Sequence, residues 1–246
     1  MWVLDGFSLF WSDRRAAADA ASDPQHLKLR AAYGWQAGFS QQDLRCWLSY
    51  RERVGKDIAA AVAWSGLTCL ASSRGEDRCR QFLCESLRTD VPGDVRGSWH
   101  EWRHPWPRLL EQTCGVSADD WFQQWSEELA TARQTLADRL AAVPRLKGEL
   151  AFEPLSPLTR KVTYRIQSDP PPASGRFRLL HADLEAFDSE VPESKVEWED
   201  LNYEQARSGE LPQTYVRGSR VYWTFAVASE ALGCDVVSGW RRQEIR

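Results

Sequence analysis

Residues 117–143, SADDWFQQWSEELATARQTLADRLAAV, form the clearest structural pattern in the chain. Ser117 begins a capping-box-like sequence in which Asp119 and Asp120 fall in the first turn, where acids favour the helix dipole. One apolar stripe then recurs at steps of three and four residues: Trp121, Trp125, Leu129, Ala132, Leu136 and Leu140. This period predicts a long amphipathic helix whose stripe is a core seam rather than a groove for a partner.

More helices are predicted upstream of that segment. Residues 57–72, DIAAAVAWSGLTCLAS, are apolar on nearly every side, which is typical of a fully buried helix. Residues 5–21, 41–53 and 76–88 are also predicted to be helical. The sequence therefore predicts an all-α domain over residues 1–145.

The periodicity changes beyond residue 143. Residues 144–158, PRLKGELAFEPLSPL, contain three prolines, which interrupt regular elements, so a proline-rich linker is expected over 146–158. Apolar residues then alternate with polar ones, as at Val162, Tyr164 and Ile166. Further strands are predicted over 177–187, 195–198, 221–227 and 236–245. Alternation with short turns predicts a mostly antiparallel, sandwich-like β domain over 159–246, and hence an α+β fold class.

Composition excludes some function classes. A net charge of −4 and a pI of about 5.7, without a basic stripe, argue against a nucleic-acid binder. No apolar run reaches the length of a membrane span. The six cysteines contain no C-x-x-C pair, which argues against a zinc knuckle and leaves their redox state open. The 13 tryptophans predict large packing surfaces, with a groove for sugars or peptides as the alternative.

One motif matches a catalytic pattern, His100-Glu101-Trp102-Arg103-His104. On a helix, H-E-x-x-H binds zinc through both imidazoles, and the glutamate serves as general base. This interpretation predicts a small zinc-dependent hydrolase with His100 and His104 as metal ligands and Glu101 as the catalytic residue. Pro105 disfavours helical backbone at His104, so a coincidental pattern in a surface turn is the alternative.

The same region suggests a binding module. Trp99, Trp102 and Trp106 cluster around a proline-rich turn, and tryptophans often anchor interfaces. They would bind a peptide, a glycan or a protein partner. His181, between apolar residues of a predicted strand, is expected to be packed or hydrogen-bonded rather than catalytic.

The chain opens on an apolar segment, residues 2–10, that is interrupted by the single acid Asp5. Chain termini are usually polar, so we expect this sequence to be cut from a longer protein. The segment Trp2-Val3-Leu4-Asp5-Gly6-Phe7 resembles the second zinc-ligand helix of the aminopeptidase-N-like zinc metallopeptidases (gluzincins), where an apolar run precedes a Glu-Gly pair. Three later segments resemble that family in the same order. Ala63-Trp64-Ser65-Gly66 resembles its Tyr-x-x-Gly segment, residues 70–83 its continuation of a short helix, a glycine, an acid and a phenylalanine, and residues 114–125 its late Phe-x-x-Trp signature.

The resemblance covers about residues 2–128 and implies a gluzincin-like scaffold in which Asp5 corresponds to a metal ligand. Two departures bear on activity, because Asp5 is one methylene shorter than glutamate and Ala63 replaces the tyrosine that stabilises the oxyanion. The family's H-E-x-x-H would lie upstream of Trp2. The resemblance therefore implies the C-terminal region of a peptidase-like protein, non-catalytic as this chain, that serves packing or partner interaction. It also implies a parent of the bacterial exporter-permease type, with this chain as an extracytoplasmic domain.

Overall fold

The computed structural model describes residues 2–15, 24–89, 105–171, 176–184, 195–202 and 208–246. The chain divides into two compact units, Met1–Leu140 and Ala141–Arg246, which we call the helical unit and the β unit. Helices make up the first unit and antiparallel strands the second. The predicted α+β class is therefore confirmed.

The described part of the helical unit contains eight α-helices. Their bounds are α1 Trp2–Arg15, α2 Pro24–Gln36, α3 Trp47–Val54, α4 Lys56–Arg74, α5 Glu76–Arg88, α6 Trp106–Cys114, α7 Ala118–Thr135 and α8 Ala137–Ala141, with a 3-10 turn at Gln41–Leu44. The structure confirms the predicted helices α4 and α5, whereas α2 and α6 were not predicted. None of the described helices is long and apolar enough to cross a bilayer.

The predicted helix over 117–143 is divided in the structure. Its start is as expected, because the Ser117 hydroxyl accepts a hydrogen bond from the amide of Asp120 at 3.1 Å. The backbone of Leu136, at φ −103° and ψ 14°, leaves helical geometry and separates α7 from α8. Residues 16–23, which include the end of the predicted first helix, lie outside the described residues.

Tryptophans build much of the core of the helical unit. The Trp2 ring stacks on Trp121 at 5.3 Å between centroids and meets Trp106 edge-on at 5.6 Å. Trp121 in turn stacks on Trp125 at 4.9 Å. All four rings are at most 3% exposed. The expectation that the tryptophan surplus serves packing is confirmed for this cluster.

The β unit contains two antiparallel sheets. The strands are β1 Arg145–Pro154, β2 Thr159–Asp169, β3 Arg176–Asp183, β4 Glu197–Asn202, β5 Ser208–Val216, β6 Arg220–Ser229, β7 Cys234–Val237 and β8 Arg241–Glu244. Sheet A has the order β1-β2-β5, and sheet B has the order β4-β3-β6-β7 with β8 also paired to β6. A sandwich-like arrangement of the two sheets stays a prediction.

Strand β1 occupies most of the segment for which the sequence predicted a linker. It pairs with β2 from Arg145 opposite Asp169 to Pro154 opposite Arg160. The prolines bracket this strand instead of interrupting it, because Pro144 precedes it, Pro154 is its last residue and Pro157 lies in the following turn. As β1 is an edge strand, a proline at its end breaks few ladder bonds.

Sheets A and B touch through Gly148 of β1 and Phe225 of β6. A Cβ atom built on Gly148 would lie 2.0 Å from Cδ2 of Phe225, so the ring occupies the space that any side chain would need. Tyr164 of β2 lies beside the same ring, with 6.3 Å between centroids. The glycine thereby permits the close approach of the two sheets at this point.

Candidate functional site

Asp5 connects α1 to α3 through its carboxylate. Its Oδ2 accepts a hydrogen bond from the indole Nε1 of Trp47 at 2.8 Å and lies 3.6 Å from Nε of Arg51. The Asp5 side chain is 18% exposed, and Trp47 is fully buried. A carboxylate held by one indole donor and one guanidinium has its charge compensated inside the protein.

The residue after Asp5 lies directly against α4. A Cβ atom on Gly6 would be 2.8 Å from the carbonyl carbon of Ala63 and 3.0 Å from its Cβ. Ala63 itself is fully buried. Position 63, which the resemblance aligns with a catalytic tyrosine, therefore belongs to the α1–α4 packing contact.

Most of the H-E-x-x-H hypothesis concerns residues that the structure does not describe. His100, Glu101, His104, Trp99 and Trp102 all lie in the undescribed segment 90–104. Within the described ranges, no group of three or more His, Cys, Asp or Glu side chains is arranged to hold a metal ion.

Trp106, the remaining member of the predicted tryptophan cluster, is described. It begins α6, is 3% exposed, and lies 6.0 Å from Trp121 between ring centroids. The structure thus places this side chain in the aromatic core of the helical unit, where it packs against Trp2 and Trp121.

Helices α2, α4 and α7 border an open groove with a volume of about 380 Å³. Its apolar lining consists of Ala31, Trp64, Trp125, Leu129, Ala132 and Leu136. This volume lies within the range of roughly 300–1,000 Å³ that is typical of ligand pockets. The groove is therefore large enough to hold one or two apolar side chains of a ligand.

The hydroxyl groups that line the groove are largely satisfied by their own helices. Ser65 Oγ donates to the carbonyl of Val62 at 2.7 Å and accepts from Nε1 of Trp125 at 2.9 Å. Thr68, Thr131 and Thr135 each donate to the carbonyl four residues earlier in their helix. Because these donors are engaged, the lining presents mainly methyl groups and ring edges to a ligand.

Two charged residues mark the rim of the groove. Lys28 of α2 and Glu128 of α7 are exposed, one on each side.

Burial raises the pKa of the Cys69 thiol, and the neighbouring Glu128 carboxylate raises that pKa further, so the thiol stays protonated. Nε1 of Trp64 is buried and has no hydrogen-bond partner in the described part of the chain.

No protein-family model matches the sequence, and no curated protein is significantly similar to it. The resemblance to gluzincins therefore stays a prediction.

A buried polar cluster occurs in the β unit. His181 of β3 is 8% exposed; its Nδ1 lies 3.3 Å from the Tyr215 hydroxyl, and its Nε2 lies 3.5 Å from Oε1 of Glu199. Burial raises the pKa of Tyr215 to about 12, with further contributions from nearby carboxylates. The expectation that His181 is packed and hydrogen-bonded is confirmed.

Proposed function

We propose that this chain is the C-terminal, non-catalytic region of a gluzincin-type peptidase-like protein, and that it serves packing and partner interaction. The observation that carries this proposal is that the Asp5 carboxylate is hydrogen-bonded to Trp47 and lies beside Arg51. A zinc ligand must offer a free carboxylate lone pair to a dication. Here Oδ2 accepts the hydrogen bond from Trp47 and lies 3.6 Å from Nε of Arg51, whose positive charge would repel a metal ion beside this carboxylate.

The surroundings of Ala63 support the same conclusion. A tyrosine that stabilises an oxyanion must reach an open substrate site. Position 63 is fully buried, and its backbone lies against Gly6. A tyrosine ring at this position would require α1 and α4 to separate, so the described packing favours a scaffold role over catalysis.

The groove between α2, α4 and α7 is the best candidate for partner interaction. Its apolar lining fits the apolar side chains of a peptide segment, and Lys28 and Glu128 are placed to contact polar groups beside that segment. The occupant that we propose is therefore an extended or helical peptide with one or two large apolar residues. We further propose that the chain is an extracytoplasmic part of a bacterial membrane protein of the exporter-permease type, since a peptidase-like region would suit such a parent.

Metal content tests the non-catalytic part of this proposal. The full chain is incubated with zinc sulfate, desalted, and analysed by inductively coupled plasma mass spectrometry, with casein hydrolysis as a second measurement. We expect far less than one zinc per chain and no hydrolysis. One zinc per chain that is lost in His100→Ala and in His104→Ala, but kept in the matched control His26→Ala, would overturn the proposal. Activity abolished by Glu101→Gln would then establish the zinc hydrolase.

A peptide-binding measurement tests the partner role. The full chain is titrated against an immobilised library of random ten-residue peptides, and the enriched sequences are examined for large apolar residues. Ala132→Trp should fill the groove and abolish binding, whereas Gln134→Trp, at an exposed position of the same helix, should not. Equal effects of the two variants, or no enrichment at all, would contradict a role for the groove.

A further inference from the structure

Strand β4 forms one border of sheet B. It pairs with β3 on one side, from Arg176 opposite Asn202 to His181 opposite Glu197. Among the described residues, no backbone hydrogen bond reaches its other side, which we call the β4 edge. A strand border with unpaired amides and carbonyls is a template on which a further strand can pair.

The hydrogen-bond pattern of sheet B shows which residues form the β4 edge. The Phe225 amide of β6 donates to the Ser238 hydroxyl at 3.1 Å, and the Phe225 carbonyl accepts from the Ser238 amide at 2.8 Å, so both groups point away from β3. Two opposite residues of an antiparallel pair either bond each other or both point away, and this alternates along the strands. Leu179, opposite Phe225, therefore directs its backbone groups towards Glu199 of β4. The residues on either side of Glu199 then direct theirs outward, to the β4 edge.

Side chains of two different characters flank this edge. Trp198 and Asp200, whose amides and carbonyls point outward, share one face of sheet B, and Trp198 is 60% exposed. Glu197 and Glu199 project to the opposite face, where Oε1 of Glu199 lies 3.5 Å from Nε2 of His181. A strand added at the β4 edge would thus meet an aromatic ring on one face and two carboxylates on the other.

The charge of β4 is negative. Three of its six residues are acidic and none is basic. Burial raises the pKa of Tyr215, and three nearby carboxylates raise it further: Asp183, Glu199 and Glu197. No lysine or arginine of the described chain is among the charges that shift this pKa. The face that carries Glu197 and Glu199 is therefore acidic beyond β4 itself.

Neighbouring cations offset this charge in part. Arg178, directly opposite Asp200, is already bonded to Asp235. Arg176 lies opposite the end of β4, and Lys195 precedes the strand. Across β3, β4 and these neighbours, five carboxylates stand against three cations: Asp183, Glu197, Glu199, Asp200 and Asp235 against Arg176, Arg178 and Lys195. A net negative charge remains.

The edges of sheet A differ from the β4 edge. Strand β5 contains Pro212, which has no amide to donate, and its pairing with β2 shifts register between Lys161 and Val162. Both features protect an edge from pairing. Strand β1 carries charges of both signs side by side, as at Lys147 and Glu149, and does not select a strand of one charge. Strand β4 has neither a proline nor a register shift.

Charge decides which strand would occupy the β4 edge. Two copies of this chain paired through β4 would bring the acids of both strands together, and like charges on paired strands are destabilising. A basic strand would form opposite-charge pairs instead. We infer that the β4 edge binds an extended basic segment of a partner protein, which adds to sheet B as a strand. Its lysine or arginine side chains face Glu197 and Glu199, and an apolar side chain between them faces Trp198.

Fluorescence anisotropy tests this inference with the full chain and a labelled peptide, Thr-Lys-Val-Lys-Val-Lys-Thr. The matched peptide has glutamate in place of each lysine. We expect the lysine peptide to bind and its binding to weaken with added salt. The glutamate peptide should bind at least about tenfold more weakly.

N-methylated peptides separate strand pairing from charge attraction. The residue opposite Trp198 exchanges backbone hydrogen bonds with it, so the valine amides of the peptide face β4 and the lysine amides point away. Methylating the valine amides should weaken binding at least about tenfold, whereas methylating the lysine amides should leave it nearly unchanged. In the bound chain, hydrogen exchange measured by NMR should slow at the amides of Trp198 and Asp200.

Variants of the chain test the charge argument. Glu197→Lys/Asp200→Lys reverses two exposed acids of β4 and should exchange the preference, so that the glutamate peptide binds and the lysine peptide binds about fivefold more weakly. Glu149→Lys, which reverses an exposed acid of β1, is the matched control and should bind as the unaltered chain does. Circular dichroism checks that each variant is folded.

Four results would overturn the inference of strand addition at the β4 edge. They are no binding of the lysine peptide, equal effects of the two methylations, unchanged peptide preference in Glu197→Lys/Asp200→Lys, and loss of binding in Ala132→Trp, which would place the peptide in the groove of the helical unit. A concentration-dependent dimer that Glu197→Lys/Asp200→Lys abolishes, seen by sedimentation velocity, would also overturn it, because a second copy would then occupy the edge.

Discussion

The indole of Trp47 donates a hydrogen bond to the carboxylate of Asp5 across 42 residues of sequence, at 2.8 Å. This contact makes the one acid of the apolar opening segment part of the helical framework. It gives Asp5 a structural role that does not need a metal ion. The loss in free energy of unfolding when this contact is removed can be measured.

Replacing Asp5 by alanine should destabilise the helical unit by about 1–3 kcal/mol, because the buried indole N–H of Trp47 loses its acceptor. Asp5→Asn keeps an oxygen acceptor and should cost less. Urea unfolding followed by circular dichroism gives both free energies of unfolding. The control is Glu111→Ala, at an exposed position of α6, which should be nearly neutral. Equal stability of Asp5→Ala and the unaltered chain would argue against a structural role.

Replacing Gly6 by alanine should cost about 1–3 kcal/mol through overpacking. The added methyl group would meet the backbone of α4 at 2.8 Å from the Ala63 carbonyl carbon, and a backbone cannot rotate away as a flexible side chain can. Ser8→Ala is the matched control, because Ser8 lies on the exposed face of the same helix. Because alanine has a higher helix propensity than glycine, a thermal unfolding midpoint of Gly6→Ala that is unchanged or raised would contradict the overpacking of the α1–α4 contact.

Dense apolar periodicity made several elements predictable. Helix α4 is apolar on nearly every side, and α5 has one clear apolar face, so both follow from local spacing alone. Helix α2 does not follow from spacing, because its buried residues include Leu27, Leu29 and Gly34, which form no simple stripe. Strand β1 was not predicted, because the three prolines in this segment were interpreted as interrupting regular structure, whereas they lie before, at the end of and after the strand.

The candidate sites are formed by residues that lie far apart in the sequence, and local sequence patterns do not predict such contacts. The acid in an apolar segment singled out Asp5, but its partner Trp47 lies on another helix. The groove could not be predicted without α2, which forms one of its walls. Ala132 and Leu136 belong to the stripe that was assigned to the core, yet both are only half-buried in the structure because they line the groove.

Replacing Gly148 by alanine should destabilise the β unit strongly, because the new methyl group would overlap the Phe225 ring. The second variant Phe225→Leu, combined with Gly148→Ala, should recover part of that loss by making space. Lys147→Ala, at an exposed neighbouring position of β1, is the control. Differential scanning calorimetry measures the three variants. Absence of any rescue in the double variant would show that the damage comes from the backbone of β1 and not from the ring.

The stability of the β unit should decrease at alkaline pH through Tyr215. Burial, with Asp183, Glu199 and Glu197, raises its pKa to about 12, whereas an unfolded tyrosine has a pKa of about 10. Between these values the folded chain holds a proton that the unfolded chain has lost. The contribution is therefore complete below about pH 10 and is lost as the pH rises towards 12.

Tyr215→Phe should flatten this pH dependence, and Glu199→Gln should shift the tyrosine titration to lower pH, because one repelling carboxylate is neutralised. Urea unfolding between pH 9 and 12 measures the first effect, and absorbance at 295 nm measures the second. Because burial also raises the pKa of Tyr50 in the helical unit, both variants are compared in a Tyr50→Phe background. An unchanged alkaline slope in Tyr215→Phe would mean that the phenol in the His181 cluster is already ionised, or solvated, in the folded chain.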